Sequence, residues 1–373
     1  MNARSDAARL RILLVGDVML GRGIDQILPR PGDPELRERA VHDAREYVAL
    51  AEAANGTVPW PVDPVYPWGD ALAVLDELAP DARILNLETS ITRSDDFAAG
   101  KAVHYRMSPD NLACLTAARP DVCVLANNHV LDFGRRGLVE TLATLDDAGL
   151  THAGAGGSAD DATAAAVAGV AAGRVVLSAV GTESSGVPSG WAATAERGGV
   201  AFLPELSVRA ADSVLARVQA DQCPGDVTVV SVHAGSNWGY PVPHGYRRFA
   251  RRLVDGGVDV VHGHSSHHPR PVEIYRGRPI LYGCGDLVND YEGIGGWDEY
   301  RSELRLLYLV TLDAGSHELV ELRMVPLRAR RLRLERATAA EVDWLRRALD
   351  RVSRAHDTVV LAGPDHSLVA LPS

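Results

Sequence analysis

Six short apolar runs in this sequence each stop at a residue that binds metals or moves protons, and that repetition constrains the fold more than any single motif. Residues 10–15 (LRILLV) run into Asp17, residues 82–87 into Glu88, and residues 121–126 (DVCVLA) into Asn128 and His129. Residues 227–232 (VTVVSV) run into His233, residues 259–261 into a cluster of His262, His264, His267 and His268, and residues 280–282 into Gly283-Cys284-Gly285-Asp286. Compact apolar runs bounded by glycine and polar residues read as buried strands. Open sheets gather ligands at the carboxyl ends of their strands, so these ends predict one shared site on a layered α/β fold.

The intervening sequence fits that layering. Helical spacing covers residues 34–54, 70–79, 138–148 and 246–254, and the capping box Thr338-Ala339-Ala340-Glu341 opens a helix through Val352. Residues 175–180 form a further strand, and residues 303–311 and 319–325 alternate as antiparallel strands do. Residues 1–373 read as one domain, with 301–373 a strand-and-helix extension packed on it. Residues 55–70 hold too many prolines for a regular element. Their Trp60, Tyr66 and Trp68 suit either an aromatic lid over a substrate or anchors for the loop.

A net charge of −11 argues against a nucleic-acid partner. The arginine-rich run 328–336 reads as a solvated face. Four cysteines without a CxxC pair suit a reducing compartment, and no N-terminal apolar run is long enough for a signal peptide or membrane span. The expectation is a cytoplasmic protein without a membrane partner.

The strand-end residues are chemically mixed. Carboxylate and amide oxygens favour Ca²⁺, Mg²⁺ or Mn²⁺, whereas imidazoles suit Zn²⁺, Mn²⁺ or Fe²⁺. His129, His233, His264 and His267, oriented by Asp17, Asp132, Asp286 or Asp290, offer acid/base chemistry near neutral pH. A divalent metal ion is the expected cofactor. No glycine-rich nucleotide loop or other organic-cofactor fingerprint is evident.

In order, GDVMLGR, NLETSIT, ANNHVLDFG, VHAGSNWGY, GHSSHH and LYGCGDLVND resemble the motifs of the bacterial capsule/poly-γ-glutamate biosynthesis (CapA) family of calcineurin-like metallophosphoesterases. The resemblance implies a four-layer α/β/β/α sandwich. It places Asp17, Glu88, Asn128, His233, His264 and His267 on metal positions and His129 on the acid/base position. Three departures stand out. Asp17-Val18-Met19 lacks the histidine of the usual Asp-x-His, Glu88 replaces a bridging aspartate, and Ala234 follows His233 where the family carries tryptophan. The first two favour one metal over two. The third suggests an opened pocket for a bulky side chain.

Within this family the chain is similar to enzymes that epimerise the C-terminal residue of lasso-type precursor peptides. That similarity implies a peptide substrate, two-base proton transfer at Cα by residues drawn from His129, His233, His264, His267, Asp17 and Asp286, and substrate contacts from Arg22, Trp60, Trp68, Ala234, Trp238 and Tyr240. A metal-dependent phosphoester or amide hydrolase and a poly-γ-glutamate biosynthesis protein are the alternatives.

Overall fold

The computed structural model describes residues 9–373. Residues 1–8, part of the stretch read above for targeting signals, lie outside the described residues. The strands used below are β1 (Arg9–Val18), β2 (Ala82–Leu87), β3 (Val122–Val124), β4 (Thr151–Ala153), β5 (Gly173–Thr182), β6 (Val227–His233), β7 (Val260–His264), β8 (Arg278–Leu281), β9 (Asp286–Val288), β10 (Leu304–Asp313) and β11 (Leu319–Arg330). The helices are α1 (Gly134–Asp147), α2 (Val208–Asp221), α3 (His244–Asp255) and α4 (Ala339–Ser353).

Two sheets pack face to face. One carries the order β11-β10-β1-β2-β3-β4 and the other β5-β6-β7-β8. In the second sheet the strands are parallel and buried on both faces, as continuous β-branched runs require. Alternation along the pleat splits their side chains between two cores. Val229 and Val260 join the large core that also holds Ile12, Leu14 and Ile84 of the first sheet. Val230, Val232 and Val261 face α2 and α3, where Val214, Leu215, Phe249 and Leu253 cover them. On the outside of the first sheet α1 contributes Leu138 and Leu145. The result is the expected α/β/β/α sandwich.

The first sheet has one feature that decides the site. One edge of β1 is shared between two partners: β10 runs antiparallel to it from Arg9 to Leu14, and β9 then takes over in parallel at Asp17 and Val18. Asp286 lies opposite Asp17 in that register. The close approach needs glycine, because a Cβ at Gly16 would fall 1.8 Å from the Gly285 carbonyl oxygen. Residues from 301 onward contribute β10 and β11 to this same sheet. Thr338 and Glu341 form the expected capping box at the start of α4.

One reading changes and another narrows. The helix expected over residues 34–54 begins only at Arg45, because the preceding segment bends back through a Glu35–Asp43 bridge and delivers Glu38 inward. Of the two readings of the aromatic loop, anchorage to the body is the one the contacts fit. Trp68 is fully buried and donates its indole N–H to the Cys114 carbonyl, and exposed Trp60 donates to the Gln26 carbonyl. No helix among the described residues is long and apolar enough to cross a membrane.

Glu273 illustrates how the layers are fastened. Its buried carboxylate accepts hydrogen bonds from Arg251 of α3 and from Tyr282 just beyond β8. Burial alone would raise its pKa, yet His356, 3.8 Å away, together with Arg251 and Tyr282, pulls it down to about 2. A depressed carboxylate stabilises the fold above its ordinary pKa, and that contribution disappears as pH falls from about 4.5 towards 2. Allowing for solvent at the Arg251 end, it amounts to about 2 kcal/mol. Urea titrations of wild type and Glu273→Gln should therefore differ most above pH 5 and converge near pH 2. A gap that does not vary with pH would contradict this.

Candidate metal centre

Asp17 ends β1, Glu88 follows β2, Asn128 and His129 follow β3, and His233 and His264 end β6 and β7 in mutual register. Thus the carboxyl ends of both sheets converge, as the strand-end pattern predicts. His262 is the seam between the sheets, with Nε2 3.1 Å from the Val15 carbonyl oxygen and Nδ1 3.1 Å from Ser231 Oγ.

Two compact donor groups share Asp17: Asp17 with His233 and His264, and Asp17 with His267 and Asp286, each with its ligand atoms within 4.8 Å of one another. Asp17 Oδ1 accepts from Asn86 Nδ2 at 2.7 Å and Oδ2 from the Ser265 backbone N–H at 3.1 Å. Asn86 Nδ2 also reaches Glu88 Oε2 at 3.1 Å. Asn128 Oδ1 lies 2.9 Å from His233 Nε2, while Glu88 Oε1 lies 3.7 Å from the same nitrogen. His233 and His264 bring their Nδ1 atoms 2.7 Å apart, so only one of these two facing nitrogens can carry a proton.

The charges fit a divalent cation. Burial, then the neighbouring Asp286, pushes the Asp17 carboxyl up to about 7. Burial and then Asp17 push Glu88 well above the carboxylate range. Burial also drives His233 and His264 well below the usual imidazole range. Buried carboxylates short of positive charge beside neutral imidazoles make a donor set that a cation completes. Asp17 with His267 and Asp286 is thus a second group able to hold an ion, beside the one that the single-metal expectation requires. Burial opposes protonation of His267, but Asp286 at 3.0 Å and Asp17 raise its pKa.

Beside the donors stands an oriented histidine. His129 Nδ1 is 2.6 Å from Asp132 Oδ2, and its Nε2 is 3.9 Å from Glu88 Oε1. Asp132 also accepts from the Tyr105 backbone N–H and from Lys101 Nζ. Tyr105 packs edge-on against His129, and its hydroxyl donates to Tyr291, which packs edge-on against His267. Asn86, Lys101 and Tyr105 were not singled out from sequence, and Tyr291 was read only as part of a polar stretch, 289–292, suited to a site edge or a loop cap. Lys101 had an available signal, being the only lysine in the chain.

Several expected substrate contacts lie elsewhere. Arg22 is buried in a bidentate pair with Asp290 and a bond to Glu38, so neither Arg22 nor Asp290 is free for the site. Ala234 is buried in the core beneath α2 and α3, so it does not line a substrate surface. Trp60 and Trp68 sit in the loop interactions already described. Trp238 and Tyr240 do adjoin the site: Trp238 lies 5.5 Å from the His267 ring and stacks on Trp297, and Tyr240 meets His268 edge-on.

The sequence matches the family model of the bacterial capsule synthesis protein PGA_cap over residues 11–291. A protein of Mycobacterium tuberculosis H37Rv named as a probable polyglutamine synthesis accessory protein is 55% identical over 366 residues, covering 97% of this chain and 96% of that protein. The PGA biosynthesis protein CapA of Bacillus subtilis strain 168 is 25% identical over 301 residues, covering 79% and 66%. Among solved structures, a phosphatase from Mycoplasma pneumoniae aligns with a TM-score of 0.46 at 10% identity, over 86% of this chain and 94% of that one.

Proposed function

Because the chain belongs to the bacterial capsule synthesis PGA_cap family, we propose that it is a divalent-metal hydrolase serving poly-amino-acid synthesis, acting on a phosphoester or a glutamyl-type peptide amide. The observation that carries this reading is Asp17, shared by two donor groups and flanked by the His129–Asp132 dyad. Mixed imidazole and carboxylate donors favour Mn²⁺, Fe²⁺ or Zn²⁺ over Ca²⁺. When bound, such ions supply Lewis acidity and lower the pKa of water. Asp17, His233, His264, His267 and Asp286 would hold them, with Glu88 and Asn128 alongside. Asp132 fixes the His129 ring with its proton on Nδ1, so that the bare Nε2 faces the centre and can take a proton from the attacking water before returning it to the leaving group.

Peptide Cα-epimerisation would use the same histidines. Its distinguishing supports were the opened pocket at Ala234, the aromatic lid and the missing histidine. Ala234 is buried and the loop tryptophans are held by the protein itself, which weighs against that reading.

The test is turnover of bis(p-nitrophenyl) phosphate and γ-glutamyl-p-nitroanilide by protein loaded with Mn²⁺ or Zn²⁺, run in D₂O with a peptide ending in tryptophan as a third substrate. Metal-dependent cleavage of either chromogenic substrate is expected. His129→Ala should lower kcat by about 10²–10⁴-fold at unchanged metal content. Deuterium uptake at Cα without cleavage would replace the hydrolase by an epimerase, and silence on all three would leave an accessory role without catalysis.

A further inference from the structure

Of the 38 lysines and arginines in this chain, Lys101 is the single lysine. Arginine meets the other cationic demands, including the bidentate pairs Arg22–Asp290 and Arg174–Asp226. Lys101 sits where arginine fits poorly. Its side chain is 13% exposed, and its ammonium donates to Asp132 Oδ1 at 2.5 Å and to the Asn128 carbonyl, 3.3 Å from His129 Nδ1. The Trp191 ring centroid lies 5.1 Å away. These oxygens belong to one turn, residues 128–132, and converge on a point. A compact ammonium with three tetrahedral donors matches that geometry, whereas a guanidinium presents its donors in a planar fork.

We propose that Lys101 is the positioning residue of the centre, a clamp that joins the proton-transfer dyad to the metal donors. By holding Asp132 Oδ1 it leaves Oδ2 for His129 Nδ1, which fixes the ring with Nε2 towards Glu88. By holding the Asn128 carbonyl it sets the backbone from which Asn128 Oδ1 meets His233 Nε2. It also offsets the charge of Asp132, so the dyad adds no net negative charge beside the buried Asp17, Glu88 and Asp286. The proposal rests on the reading of His129 as the proton-transfer group.

A lone lysine makes the test specific to one residue. Mass spectrometry of the full-length chain after acetylation with acetic anhydride, and hydroxylamine removal of acetyl groups from tyrosine and cysteine, follows only Lys101 and the N-terminal amine. Acetylation of Lys101 is expected to be slower by about ten-fold or more in the folded protein than in urea. Asp132→Asn should remove most of that protection while circular dichroism stays native. Equal rates in folded and unfolded protein would overturn the clamp.

Two variants test its consequence. Lys101→Met and Lys101→Arg should keep the fold and lower kcat on whichever substrate wild type cleaves by about 10–100-fold, with KM nearly unchanged. Full kcat in Lys101→Arg would show that charge alone suffices and would overturn the positioning role. Should wild type cleave none of the substrates, the hydrolase reading fails by itself, and ¹⁵N correlation of the His129 ring decides this one. The proton is expected on Nδ1 in wild type and distributed over both nitrogens in Lys101→Met. An unchanged tautomer in the variant would sink the proposal.

Discussion

Asp17→Asn is expected to abolish divalent-cation binding and yet make the cation-free protein more stable. The reason is that one carboxylate serves both donor groups, so its loss removes a ligand from each. Without a cation the buried carboxyl is held up at about 7. An acid with a raised folded pKa costs stability as pH climbs past its ordinary value, and the cost is complete above the folded pKa. At pH 8 a neutral amide avoids that cost, and a gain of about 2 kcal/mol over wild type in chelator is expected, shrinking towards pH 4. In saturating Mn²⁺ the order reverses. A cation at a hundred times its Kd stabilises wild type by about 2.7 kcal/mol and should do nothing for Asp17→Asn. Thermal melts with and without chelator, beside metal analysis, read both signs. A variant that binds the cation as tightly as wild type would remove Asp17 from the centre.

Arg22→Ala should be among the most damaging substitutions outside the centre, although sequence assigns this arginine to substrate. The guanidinium makes two bonds to Asp290 and one to Glu38, and lies 3.8 Å over the Tyr47 ring and 4.4 Å over Tyr105. All three charged residues are buried. Removing one partner of a buried ion network leaves uncompensated charge and costs about 3–5 kcal/mol, far more than an exposed pair is worth. Urea denaturation measures the loss. The double variant Arg22→Ala with Asp290→Asn should recover part of it, because one stranded charge has gone with its partner. A loss under about 1 kcal/mol would mean that solvent reaches the network in solution. Tyr105 joins this network to His129, so the double variant also reports whether the wall of the centre depends on it.

The two results separate what Asp17 and Arg22 do. Both are buried charged residues near the end of β1, five positions apart. One is deficient in positive charge and suits a cation. The other is fully satisfied by protein groups and serves the fold.

The sequence by itself determined the layered α/β fold and most of the donor set. Apolar β-branched runs must be buried as strands, and a polar residue that ends such a run lies at a sheet edge whatever the connections do. That rule located Asp17, Glu88, Asn128, His129, His233, His264, His267 and Asp286 without knowledge of any contact, though not how they group. It is a local rule, and it fails where the deciding partner is distant in the chain. Arg22 looked available because Asp290 lies 268 positions away. Trp68 stayed open between lid and anchor because its proline-rich neighbours forbid a regular element but do not reveal burial against Cys114. The second donor group depends on a change of partner along β1, where β9 replaces β10 and lays Asp286 beside Asp17. Lys101 lies in an irregular segment that ends no strand, and only the folded chain brings it to Asp132. Strand propensity and burial are written over a few residues, whereas register between distant strands and the pairing of buried charges are settled by the packing of the whole.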